Sequence, residues 1–461
     1  MKEFLNSLSD WIINASDVVC GVPEFLLLIG GGLFLFIYSG AISLRRLPDA
    51  MRALRSRQAA SAGKETGQIS SVQALLTAIA ATVGLGNIAG VAIALTVGGP
   101  GVIFWMWVSA IVGMATKFFE GTLSIMYKGT DSNGEVQGGP MYIITRGLGE
   151  KWKPLAVAFS IFGLVGTLCF MQANQLVESV TTVFTTPMGL ENTATLRFVM
   201  GVVMMLIVGA VILGGIKRIA SLASRIVPVM VALYLIIVLV IMVLNYKALP
   251  GVFASIFEGA FTLKAGFGAL VHVALTGARR AAFVNEAGVG TASMMHGASK
   301  NTDAVREGLI AMIAPAIDSG IVCTLTSIPI LIAGNYVGLT DPKGLYVALG
   351  AFGQLLPGIG HYLLMVIVFF FAFSTMFSYS YYGQKCTNYL FGAKRVKYYN
   401  YYYLIMIVVA AVIPLKTMVS IMDLAFALMA LCTMTTLILL APRVKALARD
   451  YFDKTKAPAE E

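Results

Sequence analysis

Apolar runs long enough to cross a bilayer, separated by short polar stretches, recur from Glu24 to Pro442. A membrane helix needs about 20 predominantly apolar residues. The pattern predicts spans over residues 24–44, 70–97, 101–127, 153–184, 195–214, 222–245, 265–284, 306–334, 358–383, 399–415 and 417–441. The expected fold is an all-α integral membrane protein with eleven transmembrane helices. No polar linker or low-complexity stretch divides the chain, so a single membrane domain over 1–461 is expected. The first 23 residues, with Leu5, Leu8, Trp11 and Ile12 beside acidic groups, read as a short interfacial helix and not as a signal peptide.

Two of the runs carry an interruption. Thr82-Val83-Gly84-Leu85-Gly86-Asn87 lies in the middle of the second. Glycine weakens a helix and a buried amide must find partners, so the sequence predicts a broken helix there. Backbone N–H and C=O groups freed at mid-membrane hold a small zwitterion and a cation in secondary transporters. The seventh run has two candidate breaks, Gly266-Phe267-Gly268 and Leu275-Thr276-Gly277-Ala278. Lys264 and Glu286 bracket that run, and their midpoint near Ala274 and Leu275 favours Thr276 and Gly277, whereas glycine content favours the first. Either set also serves plain close packing of helices. Runs two and seven are five spans apart, an odd number, so five-helix units over 70–245 and 265–441 cross in opposite senses. The prediction is an inverted repeat, preceded by residues 1–69 with an additional span and followed by a tail over 442–461.

Composition agrees: 58% of the 461 residues are apolar and 12% charged, against roughly 25% charged in soluble domains. The net charge of +10 is unevenly spread. Arg45, Arg46, Arg52, Arg55, Arg57 and Lys64 follow the first span, Lys128, Arg146, Lys151 and Lys153 the third, and Lys217, Arg218 and Arg225 the fifth. Arg279, Arg280, Lys300 and Arg306, then Lys385, Lys394, Arg395 and Lys397, then the tail, fall on the same side. The other side has Lys2, Arg197, Lys247, Lys264, Lys343 and Lys416. This asymmetry places the N-terminus outside and the C-terminus in the cytoplasm of a plasma-membrane protein. The basic charge is thus topology, and no nucleic acid partner is expected. The cysteines (Cys20, Cys169, Cys323, Cys386, Cys432) are scattered without metal-ligand spacing and read as buried small hydrophobes.

In the second span, carbonyls of Ala80, Ala81, Thr82 and Val83 are placed to meet a cation. N–H groups around Gly84 and Gly86, at the positive end of the outer half-helix, suit a substrate carboxylate. Asn87 either gives its carbonyl oxygen to the ion or bonds a neighbouring helix. Phe170 lies near the middle of the fourth span, with Gln172 and Asn174 on different faces as neutral partners for an amino acid or for another helix. Charges within spans need partners. Lys117 and Glu120 are three apart and neutralise each other or a neighbour. Asp318 binds a cation, carries a proton or, the favoured reading, pairs with Lys117. His272 is a proton carrier or, as favoured, a packed histidine. Arg279, Arg280 and Glu286 at the cytoplasmic end of the seventh span form a gate or an interfacial anchor, and Gly288 and Gly290 allow a sharp turn.

These residues carry a family resemblance. Ala74-Leu75-Leu76-Thr77-Ala78 through Gly84-Leu85-Gly86-Asn87-Ile88-Ala89-Gly90-Val91-Ala92, then Gly98-Gly99-Pro100-Gly101 and Phe104-Trp105-Met106-Trp107, resemble the alanine or glycine:cation symporter family. So do Gly113-Met114-Ala115-Thr116-Lys117-Phe118 with Glu120, Gln172-Ala173-Asn174, Arg280 with Phe283-Val284-Asn285-Glu286-Ala287-Gly288-Val289-Gly290, and Phe371-Ala372-Phe373-Ser374-Thr375. The matches span residues 70–390 in order. Leu85, Ala281 and Val284 depart from the threonine, glycine and serine usual in the family.

The resemblance implies a LeuT-like fold of the amino acid-polyamine-organocation superfamily and cotransport of small neutral amino acids, usually with sodium. It implies that Phe371, Ser374 and Thr375 face the broken helix. Their oxygens, with those of Ala80, Val83 and Asn87, would then cage a hard cation such as sodium. Thr82, Val83, Gly84, Gly86, Phe170, Gln172, Asn174, Thr276 and Gly277 are the expected substrate residues, and Arg280, Glu286 and Asp318 the gating or coupling candidates. Sodium is the expected coupling ion, with no organic cofactor; the partners are an amino acid and the lipid bilayer. The rival readings are a proton-coupled symporter using Asp318 and His272, and a cation channel, which lacks a ring of acidic residues. An enzyme is not expected, since His-Glu-x-x-His, Gly-x-Ser-x-Gly and Walker patterns are missing from the sequence.

Overall fold

The computed structural model describes residues 11–16, 18–56, 67–261, 267–339, 344–413 and 415–456. Leu5, Leu8, Lys264 and Gly266 lie outside the described residues, as do Lys2, Arg57, Lys64 and Lys343. The chain is almost entirely helical, as hydrocarbon requires, because a helix satisfies its own N–H and C=O groups. The one sheet among the described residues is a hairpin, Gly129–Thr130 with Val136–Gln137.

The helices run in the order α1 (Val22–Tyr38), α2 (Leu47–Arg55), α3 (Ser71–Thr82), α4 (Leu85–Gly98), α5 (Val102–Met126), α6 (Lys153–Gly166) and α7 (Phe170–Val180). Then follow α8 (Ala194–Ile212), α9 (Gly215–Leu244), α10 (Leu249–Ala260), α11 (Phe267–Asn285), α12 (Thr291–His296) and α13 (Ala304–Ala311). The last are α14 (Cys323–Ala333), α15 (Gly344–Leu355), α16 (Gly360–Phe391), α17 (Val396–Val412) and α18 (Leu415–Lys456). Among the described residues, seven helical stretches are long and apolar enough to cross a membrane, and the bent pair α3–α4 makes an eighth. The remaining expected spans overlap α1, α11 and α17.

The second span breaks where its glycines predict, at Val83–Gly84, and its halves are bent by 46°. Ser70 and Gln73 cap the start of α3 reciprocally, at 3.2 and 3.0 Å. The seventh span corrects the prediction. Its helix is continuous from Phe267 to Asn285, so neither Gly268 nor Thr276-Gly277 interrupts it. Gly277 lies against the Val102 carbonyl and Trp105, leaving no room for a Cβ, and Thr276 lies beside Gly98: these are packing residues. The chain unwinds instead at Glu286–Gly290, with positive φ at Glu286 (51°), Gly288 (93°) and Gly290 (98°). The depth estimate failed because it took Glu286 for a membrane flank. Its carboxylate is in fact buried and hydrogen-bonded inside the bundle.

Other differences are additions. The fourth span is interrupted at Thr167–Cys169, between α6 and α7. Two helices, α10 and α15, lie between expected spans, and α15 packs on α4. The last helix continues to Lys456, well past residue 441.

The loops after spans one, three, seven and nine and the tail share hydrogen bonds. Arg306 donates to the carbonyls of Ala53 and Ser56 at 3.2 and 2.8 Å. Lys128 donates to those of Ser299 and Asn301 at 2.5 and 3.1 Å. Arg443 reaches the Tyr127 hydroxyl at 2.7 Å and the Gly147 carbonyl at 2.9 Å. Asp131 of the hairpin accepts from Gln137 at 2.8 Å and from Asn388 of α16 at 2.9 Å.

Helices α5 and α13 touch through glycine. A Cβ at Gly308 would lie 2.7 Å from the Phe118 carbonyl, and one at Gly121 would lie 3.0 Å from the Gly308 Cα. Gly308→Leu is therefore expected to cost about 1–3 kcal/mol or more by overpacking, read as a lowered thermal unfolding midpoint in detergent. Gly334→Ala, where nothing lies within 4 Å but φ is +67°, should cost less than Gly308→Leu.

Candidate functional site

The break in the second span is held open by one side chain. Asn87 Oδ1 accepts the Gly84 N–H at 2.9 Å, and its amide donates to the Asp318 carbonyl at 3.3 Å. The oxygen expected to face an ion is thus already engaged, with one lone pair left. The next N–H groups, of Leu85 and Gly86, have no backbone acceptor among the described residues. They open α4, where the helix dipole favours negative charge. Nothing lies within 4 Å of where a Cβ would stand on Gly86, so there is open space beside these donors.

Span nine faces the break. Thr375 Oγ1 donates to the Ala80 carbonyl at 3.3 Å, and Ser374 Oγ to the Phe371 carbonyl at 3.1 Å. A Cβ on Gly84 would stand 2.7 Å from Thr375 Oγ1, so only glycine lets α16 approach this closely. Ala80, Phe371, Ser374 and Thr375 are all buried. The cluster is oxygen-only and uncharged, a donor set suited to a hard monovalent cation once the hydroxyl hydrogens turn away.

Asp318 lies in a π-helical stretch, Ala316–Val322, leading into α14. Thr82 Oγ1 donates to its Oδ2 at 2.5 Å, while Oδ1 is buried without a partner. Its expected pairing with Lys117 is not formed: no ion pair joins them among the described residues, and Lys117 Nζ donates to the Glu286 carbonyl at 3.3 Å. Glu120 likewise does not pair with Lys117. Its Oε1 accepts the Gly288 N–H at 2.6 Å.

The second break is therefore fastened by α5. Glu286 accepts from Thr291 at 2.6 Å and from the Tyr379 hydroxyl. Asn285 accepts the Ala287 N–H at 2.9 Å and donates to Ser319 at 3.1 Å, tying the end of α11 to the turn bearing Asp318. Arg280 is not at the end of its helix and does not join Glu286. Its guanidinium lies against Gly90 of α4, with Nε buried and unpartnered. His272 is exposed and not the packed histidine that the sequence favours.

In the fourth span, Phe170 is buried at the start of α7. Cys169 beside it meets the Tyr403 hydroxyl at 2.7 Å, and Tyr403 donates to the Met376 carbonyl at 2.7 Å, fixing this gap against α16. Asn174 is spent on α17, donating to the Ala410 and Ile413 carbonyls at 3.0 and 2.9 Å. Gln172 is buried with Oε1 unpartnered.

Sequence reasoning missed Tyr379 and a dyad near the basic end. His296 Nδ1 meets Glu307 Oε1 at 2.7 Å, and Glu307 Oε2 accepts from Ser299 and Asn301 at 3.1 and 3.0 Å. Ser299 bonds Ser71 at 3.1 Å, and Lys300 N donates to the Ile69 carbonyl at 2.8 Å. The start of α3 is thereby stitched to the segment after α12. Only the Ser-x-x-Gln cap hinted that α3 begins at a fixed point.

A membrane bundle with two facing broken helices and buried oxygens at the break is the architecture of a secondary transporter. The fold is that of the solved structure of MhsT in complex with L-phenylalanine, with a TM-score of 0.56, 14% identity, and coverage of 84% of this chain and 99% of MhsT. The profile of the sodium:alanine symporter family matches residues 5–461, and the chain belongs to that family. The sodium/alanine symporter AgcS of Methanococcus maripaludis is 38% identical over 455 residues, 97% of this chain and 98% of AgcS. The putative sodium/proton-dependent alanine carrier protein YrbD of Bacillus subtilis is 34% identical over 407 residues, 85% of this chain and 81% of YrbD.

Tyr379 gives a direct test of how the second break is held. Tyr379→Phe leaves a buried Glu286 oxygen short of a donor and is expected to cost about 1–3 kcal/mol, seen as a lower unfolding midpoint. Tyr382→Phe, whose hydroxyl is buried without a partner, should be near neutral in the same assay.

Proposed function

We infer that this protein is a secondary active symporter that imports small neutral amino acids, alanine and the smaller glycine, on a sodium gradient across the plasma membrane. The observation that carries the reading is the Val83–Gly84 break faced by the Ser374 and Thr375 hydroxyls. Sodium is placed among the oxygens of Ala80, Val83, Phe371, Ser374 and Thr375. The substrate carboxylate meets the Leu85 and Gly86 N–H groups at the head of α4, and the ammonium meets the orphaned oxygens of Gln172 and Asp318. Phe170 closes the side-chain end and limits its size. Asn174, Thr276 and Gly277 have structural roles in this reading.

The proposed architecture is eleven spans in an inverted repeat, N-terminus outside and C-terminus in the cytoplasm. Alternating access then requires the stitch between Ile69–Ser71 and Ser299–Lys300 to part at the cytoplasmic end. Ion and substrate couple because both favour the same closed arrangement of the breaks.

Radiolabelled alanine uptake into proteoliposomes, with sodium, lithium and pH gradients imposed separately, tests this reading. Sodium alone should drive accumulation, and uptake of leucine equal to that of alanine would refute the size limit. Ser374→Ala and Thr375→Ala should each raise the sodium concentration for half-maximal uptake about tenfold or more, the effect of about 1.4 kcal/mol. The free oxygen of Asp318 favours proton coupling as a second reading. That reading requires a pH gradient alone to drive uptake and Asp318→Asn to abolish this pH-driven accumulation. Gln172→Ala should raise the alanine KM, whereas Asn174→Ala should lower the unfolding midpoint and leave the KM unchanged.

A further inference from the structure

A cavity of about 270 Å³ lies at the basic end, lined by none of the residues that form the two breaks. It is bounded by the turn that ends α1, by α18 and by Phe118 and Phe119 of α5. Arg45, Arg46, Lys445 and Arg449 line it, with Asp453 as the one lining carboxylate. Arg46 is balanced by Asp49 at 3.1 Å, and its guanidinium lies 3.9 Å from the Phe452 ring centroid. Arg449 meets Asp453 at 3.8 Å, but both are largely exposed, so this pair neutralises little. Arg45 and Lys445 form no ion pair among the described residues. Arg45 donates to the Gly40 carbonyl at 3.3 Å, and Lys445 sits 4.3 Å from the Tyr38 ring centroid. The cavity is therefore cationic beyond its own acids.

The backbone turns here through two left-handed residues, Gly40 (φ 68°) and Ala41 (φ 56°). Positive φ at a non-glycine residue is uncommon and strained. The turn places the cations directly beneath an apolar, outward-facing helix surface. Leu33, Phe34 and Ile37 of α1 and Leu44 after it are exposed, as are Leu431 and Leu439 of α18. A cationic cleft joined to an outward apolar surface matches an amphiphile with an anionic head, and basic pockets between membrane helices bind such headgroups.

We propose that this cavity holds the phosphate headgroup of an anionic phospholipid, gripped by Arg45 and Lys445, with its acyl chains along the exposed face of α1. A free anion would gain only the charged half of the site; the apolar half selects the lipid. The bound lipid braces α1 against α18 over Phe118 and Phe119, next to Lys117 and Glu120, which fasten the second break.

The test uses the purified full chain in neutral detergent, titrated separately with phosphatidylglycerol, phosphatidylcholine and inorganic phosphate. Phosphatidylglycerol should raise the unfolding midpoint saturably and remain bound in intact-complex mass spectra, while the other two give no shift. Arg45→Gln combined with Lys445→Gln should weaken phosphatidylglycerol binding at least tenfold. Lys217→Gln with Arg218→Gln, basic but on α9, should leave it unchanged. Arg449→Gln alone, should the double variant fail to fold, is expected to weaken binding two- to threefold. Equal binding of phosphatidylglycerol by the double variant, an equal shift with phosphatidylcholine, or a full shift from inorganic phosphate would each overturn the proposal.

Discussion

A peptide group stripped of both its helical partner and water costs several kcal/mol in hydrocarbon. Every interruption in this bundle is organised by that penalty. At the first break, Asn87 takes the Gly84 N–H. At the second, Glu120 takes the Gly288 N–H, Asn285 the Ala287 N–H, Lys117 the Glu286 carbonyl and Thr433 the Val289 carbonyl. Buried charges that look anomalous in an apolar helix thus have a common task. Lys117 and Glu120, three residues apart on one face of α5, brace the two sides of a single unwound strand.

The same bonds place the two breaks in register. Asn87 reaches from α4 to the Asp318 carbonyl, and Asn285 reaches from α11 to Ser319, the next residue. Thr82, on the other side of the first break, closes on the Asp318 carboxylate. One wide helical turn therefore senses both discontinuities. Below it, the His296–Glu307 dyad and Ser299 tie the segment after the second break to the start of α3. Movement at either break strains a shared set of hydrogen bonds, the physical basis on which two ligands influence one another.

Much of this was written in the local sequence. Gly84-Leu85-Gly86-Asn87 betrays the first break because two glycines weaken the helix at the point where a polar amide stands ready to take a freed N–H. Ser374 and Thr375 were identifiable as adjacent hydroxyls, and Asp318 as an isolated mid-span acid. The second break was misplaced because an acid beside two arginines looks like the edge of a membrane. The Glu286 carboxylate is held in the interior by nearby Thr291 and by Tyr379, which stands 93 residues further along the chain where no local pattern reveals it. The gap at Thr167–Cys169 was hidden for a similar reason: Tyr403, more than two hundred residues away, supports it. Nor did the pattern separate Gln172 from Asn174, since only the packing of α17 occupies one and leaves the other free.

The final helix has 42 residues. At about 1.5 Å per residue it is roughly 60 Å long, about twice the depth of a ~30 Å hydrocarbon layer. Within the bundle it packs on α6 and α7, and Thr433 touches the carbonyl of Val289 in the unwound strand. Its far portion is packed as well: Val444, Ala448 and Phe452 are buried, and Arg46 lies 3.9 Å from the Phe452 ring centroid. One rigid rod thus joins the unwound strand at Thr433 to the turn after α1 at Phe452, so a tilt at the centre of the molecule is felt at its basic rim.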